Sequence, residues 1–161
     1  SHAKAFSFNR NIFIYAAGEK NEFPADISHE MIHVLLNHKY SGAIPLWLEE
    51  GLALHYGFEM TTGFQALQGK SVSLISDHEA PEQIDIFSQK SYPEEPIALR
   101  TFYRQSRKAV ALIIHHLGEE LGLKLFDELA VHHEQAMYVF EVSFLTDEQK
   151  AELRNIGVVV N

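Results

Sequence analysis

The chain has 161 residues, of which 46% are hydrophobic and 22% charged. That suits one folded domain with a real core and argues against both two domains and disorder. The net charge of −9, with no basic patch in view, weighs against nucleic acid as a partner, and the absence of cysteine excludes disulfides and thiolate metal sites while leaving the compartment open.

In chain order, residues 6–16 are rich in strand formers, and Asn9-Arg10-Asn11 reads as a turn between two short strands. The stretch after Gly18 is polar and reads as loop. Pro24 and Asp26 open a helix expected to run to about Asn37, closed by the Lys39–Ala43 stretch with its Gly42. Pro45 suits the start of a second helix, expected to end near Tyr56. Residues 57–99 read as a long irregular connection with a short strand at Val72–Ile75. From Thr101 the pattern is helical again, with Tyr103, Val110, Ile114 and Leu117 on one face and Gly118 as a stop. Leu121, Leu125, Phe126 and Leu129 mark the next helix, and a further one is expected over Glu134–Phe144. Thr146 and Gln149 form a capping box that starts a last helix ending near Gly157. No apolar run exceeds six residues, the length of Ala109 to Ile114, far short of a membrane span. No secretory signal is visible, and we read residues 1–161 as a single domain from a chain that extends further.

The chemistry concentrates in His29-Glu30-Met31-Ile32-His33. On a helix, residues four apart lie one turn above each other, so the two imidazoles can reach one metal ion. Glu30 projects about 100° round from His29, beside the metal instead of on it, where a carboxylate can take a proton from an activated water. A catalytic zinc takes three protein ligands and keeps one open position. Residues 44–57, Ile-Pro-Leu-Trp-Leu-Glu-Glu-Gly-Leu-Ala-Leu-His-Tyr-Gly, offer two candidates for the third. Glu50 and Glu49 both have apolar helical neighbours, where a carboxylate is costly unless paired or metal-bound, and this criterion barely separates them. Gly51 and Ala53 are small enough for the second helix to approach the first closely.

The pair His-Glu-x-x-His and Pro-Leu-Trp-Leu-Glu-Glu-Gly-Leu-Ala resembles the gluzincin metallopeptidases, in particular the peptidase MA-like domains, with thermolysin and aminopeptidase N as more distant members. The resemblance implies that the glutamate directly before the Gly-x-Ala, here Glu50, is the third zinc ligand beside His29 and His33, and that Glu30 is the general base. Sixteen residues separate His33 from Glu50, somewhat fewer than in thermolysin or aminopeptidase N. Leu54 stands where thermolysin carries an acidic residue one turn after its glutamate ligand, and the Gly-x-Met-x-Asn motif of aminopeptidase N is absent. Thr101-Phe-Tyr-Arg-Gln-Ser106 resembles the Tyr-x-x-Ser helix of MA-like domains. Because gluzincins often place a tyrosine on a later helix, Tyr103 is the candidate donor to the reaction's oxyanion; the alternative is a half-buried packing residue.

The expected fold is therefore α+β and predominantly helical, a zincin-like domain with a short N-terminal β element and the His-Glu-x-x-His helix packed on the Glu-Gly-x-Ala helix. The expected activity is hydrolysis of a peptide or protein substrate with one zinc ion per chain, and the alternative is an inactive zinc-binding interaction domain of the same fold. Residues 6–16 also offer an edge along which an extended peptide could add, against the plainer reading of an ordinary strand. Of the ten histidines, the adjacent pairs His115-His116 and His132-His133 point too far apart to share a site and suit helix ends. His38 falls off the ligand face, His55 lies five residues past Glu50, where an outer-partner role is the less favoured reading, His78 carries no pattern and His2 belongs to the terminus.

Overall fold

The computed structural model describes residues 5–8, 11–14, 23–41, 44–67, 86–87, 89–131 and 144–155. Over these residues the protein is predominantly helical, with α1 at Phe23–Tyr40, α2 at Leu46–Leu67, α3 at Pro96–Leu117, α4 at Glu119–Val131 and α5 at Asp147–Asn155. Ahead of them β1 (Ala5–Phe8) and β2 (Asn11–Ile14) pair antiparallel, with Ala5 opposite Ile14 and Phe8 opposite Asn11. Both strands lie against α1. The expected strand at Val72–Ile75 and nearly all of the expected helix at Glu134–Phe144 fall outside the described residues; Phe144 itself sits in a turn.

Helix ends follow local chemistry. α1 continues past the expected stop at Asn37 because Lys39 and Tyr40 both hydrogen-bond Asp127 on α4, a tertiary tie that sequence periodicity does not register. It ends where Ser41 adopts φ 54° and donates its N–H to Asn37 O at 2.9 Å. α3 starts five residues before the expected Thr101. Its cap is Glu95, whose carboxylate accepts from Ile97 N and Ala98 N at 2.8 Å each, and Pro96 follows, where a missing N–H leaves nothing unsatisfied. Gly118 terminates α3 as expected, with φ 75° and its N–H on Ile114 O at 2.8 Å. The capping box of α5 is reciprocal: Thr146 Oγ1 accepts from Gln149 N at 3.2 Å, and Gln149 Oε1 accepts from Thr146 N at 3.0 Å.

The largest departure from expectation is α2, which runs to Leu67 instead of Tyr56. Gly57 directly follows the expected end. In the fold it lies inside the helix, where an added Cβ would stand 3.0 Å from both Cα and N of His29. The glycine serves a close crossing of α2 over α1, and the helix passes through it.

The core lies among α2, α3, α4 and α5. Trp47, Leu48, Phe102, Val110, Ile113, Leu125, Phe126 and Leu153 are sealed from solvent, each large apolar side chain contributing about 1.5–3 kcal/mol through burial. Trp47 meets Phe87 edge to face at 4.9 Å. Among the described residues no helix is long and apolar enough to cross a membrane.

Candidate metal centre

Two helices supply the centre. His29 and His33, one turn apart on α1, turn their Nε2 atoms toward each other at 3.0 Å. Glu50, in the first turns of α2, brings Oε2 to 3.5 Å from His29 Nε2 and Oε1 to 3.6 Å from His33 Nε2. His33 is 8% exposed and Glu50 only 2%. One ligand atom from each residue lies within 4.8 Å of the others, so the group can hold a metal ion. The spacing fits a small tetrahedral cation, whose ligands at about 2.0–2.1 Å would stand about 3.3 Å from one another.

Electrostatics point the same way. Burial alone would favour a neutral His33, yet its contacts with Glu49 and Glu50 and the charges of both carboxylates outweigh burial and raise its pKa to about 10. Burial likewise opposes ionisation of Glu50, but His33, the Tyr92 phenol and His29 hold its carboxyl below the usual range. A pocket that draws a proton onto a buried imidazole and keeps a buried carboxylate charged is built around positive charge. Glu50 Oε2 is itself buried with no hydrogen-bond partner, a costly condition that a cation between the three residues would relieve.

Glu49 and Glu50, which helical neighbours could not separate, have different jobs. Glu50 belongs to the ligand group. Glu49 accepts a hydrogen bond from His33 Nδ1 at 3.0 Å, which fixes the ring with Nε2 turned toward His29 and Glu50. Glu49 is thus no bystander: the carboxylate next in sequence to Glu50 steadies one of the histidines.

Glu30 is half-buried on α1 and stands outside the ligand group. Tyr103 is half-buried on α3. Burial lifts its phenol to about 12, with the charges of Glu50 and Glu30 adding to the effect, so Tyr103 lies within the field of both carboxylates and stays protonated at neutral pH. Sequence reasoning missed Tyr92. Its hydroxyl donates to Glu50 Oε1 at 2.5 Å, and its ring leans on Phe102 and Tyr103 at 6.3 and 6.2 Å between centroids. It sits in the stretch that read as irregular connection, and no periodicity or spacing singled it out.

The other histidines among the described residues lie elsewhere. His38 and His115 are exposed, His116 shares the last turn of α3 with His115, and His55 lies 3.6 Å from Glu59 on its own helix. His2, His78, His132 and His133 fall outside the described residues. The fold and site together define a helical domain with a His-His-Glu group able to hold a metal. Comparison with protein-family models, with curated proteins and with solved structures returned no match.

Proposed function

We propose that the chain is a zinc-dependent metallopeptidase of the gluzincin type, with a zincin-like fold similar to peptidase MA-like domains. The observation that carries the reading is the meeting of His29, His33 and Glu50 across the α1–α2 junction, with a further carboxylate, Glu30, next in sequence to His29 and free of ligand duty. A purely structural metal site needs ligands but no such base. The donor set of two imidazoles and one carboxylate is one that zinc takes in catalytic sites.

In this reading His29, His33 and Glu50 hold the ion, and Glu49 keeps the His33 ring in the ligating orientation. Bound zinc would supply Lewis acidity and bring the pKa of a water to about 7. Glu30 accepts the proton as the water attacks the scissile carbonyl, then delivers it to the departing amine. Tyr103 donates its phenolic hydrogen to the carbonyl oxygen as negative charge grows there. Its phenol, lifted to about 12, remains a donor throughout the neutral range.

The test is elemental analysis of protein purified without a nickel column, paired with cleavage of an unfolded protein with and without chelator. One zinc per chain and chelator-sensitive cleavage are expected. Tight zinc binding without cleavage across a broad peptide library would leave the zinc-binding interaction domain as the function. A chain that takes up no zinc would overturn both.

A further inference from the structure

Tyr92 belongs to no motif, yet its hydroxyl reaches the most buried charge in the centre. The two oxygens of Glu50 have unlike surroundings. Each lies near a histidine nitrogen, Oε1 at 3.6 Å from His33 Nε2 and Oε2 at 3.5 Å from His29 Nε2, but Oε1 also accepts from Tyr92 at 2.5 Å, whereas Oε2 is buried and lacks a hydrogen-bond partner. The donor is braced: the Tyr92 ring is nearly perpendicular to Phe102, which is fully buried, and tilted against Tyr103. Tyr92 itself remains 46% exposed, so its hydroxyl is the part committed to the interior.

We propose that Tyr92 is a positioning residue for Glu50, holding Oε1 by hydrogen bond so that Oε2 is the oxygen offered to the cation. The inference rests on the metal-site reading above. A carboxylate free to rotate can chelate through both oxygens or turn away; one fixed at a single oxygen presents the other in one direction, which is how outer partners of ligating carboxylates tune a site. Glu49 acts on His33 in the same manner, so α1 and α2 each present a ligand steadied from behind.

The test uses Tyr92→Phe, which keeps the ring and its aromatic neighbours and removes only the hydroxyl. Zinc affinity, measured by competition with a chelating dye, should weaken about 10–100-fold. The visible spectrum of the cobalt(II)-substituted protein should shift as the carboxylate changes its mode of binding. In a Glu50→Gln background, adding Tyr92→Phe should change affinity little, because its target is gone. Equal losses in both backgrounds would mean general loosening and would overturn the positioning role. Unchanged affinity with an unchanged cobalt spectrum would overturn it while leaving the metal site standing. A wild-type chain that binds neither zinc nor cobalt would overturn both.

Discussion

α2 packs against different neighbours on its two sides. Toward α3 it is mostly apolar: Trp47, Leu48 and Leu52 are buried in the core, and Gly51 lets the helices meet so closely that an added Cβ would stand 2.6 Å from Ser106 O and from Val110 Cγ2. Toward α1 it is charged: Glu49 and Glu50 face His33 and His29, and Gly57 sets the approach at the backbone of His29. The first side is held mainly by apolar burial, although Trp47 Nε1 and Ser106 Oγ are sealed there without a hydrogen-bond partner. The second gathers two imidazoles and a sealed carboxylate, whose desolvation is offset only when positive charge sits among them. One helix thus carries both the support of the fold and one side of the candidate metal centre, and small residues mark where each is in contact.

Substitutions on the charged side should separate rate from occupancy. Glu30→Gln has the largest expected effect: hydrolysis should fall by about 10²–10⁴-fold or more, the usual contribution of a general base, with zinc content and melting temperature unchanged. Gln is nearly the same size as Glu and can still hydrogen-bond a water, but it cannot accept the proton. Full retention of chelator-sensitive activity in Glu30→Gln would rule out the mechanism. For the carboxylate pair, Glu50→Gln should strip most of the zinc, whereas Glu49→Gln should weaken binding about 10–100-fold through His33. Equilibrium dialysis would read both, and the opposite order would exchange their roles.

The two glycines sharpen the contrast at smaller scale. Alanine favours a helix interior over glycine by about 1 kcal/mol. At Gly51 the overlap with Ser106 O and Val110 should outweigh that gain, because overpacking costs about 1–3 kcal/mol. Gly51→Ala should therefore lower the melting temperature. At Gly57 the tighter neighbour is the His29 backbone at 3.0 Å, so Gly57→Ala should leave stability nearly level and reduce zinc affinity several-fold by displacing His29. Thermal melts and metal titration on both variants decide it; equal effects on both readouts would dissolve the distinction between the two sides.

Much of the site was legible because its elements are local. His29 and His33 share a face by helix geometry alone, and the small residues of the second helix announced close packing. The choice of Glu50 over Glu49 was not available from periodicity, since both have apolar neighbours along the helix; the family resemblance implied Glu50, and the structure groups Glu50 with the two histidines while Glu49 accepts from His33 Nδ1. Boundaries failed where tertiary contacts overrode local signals. Gly57 reads as a breaker in one dimension and serves as a contact in three, and Glu95 is an uncommon helix cap that the favoured Ser, Thr, Asp and Asn would have signposted better. Tyr92 was invisible for a different reason: its role depends on a hydrogen bond to a residue 42 positions away, and nothing in its own neighbourhood encodes that.

The order of the chain has a kinetic consequence. All three proposed ligands lie between His29 and Glu50, on two helices joined by a short connection, and contacts of low sequence separation close quickly and at small entropic cost. The phenols of Tyr92 and Tyr103 come from a distant segment whose docking must await the packing of α3 on α2. During folding, then, the cation cradle can assemble while the aromatic wall is still absent, and an ion captured at that stage would favour the pairing of α1 with α2 before the rest of the domain has condensed around them.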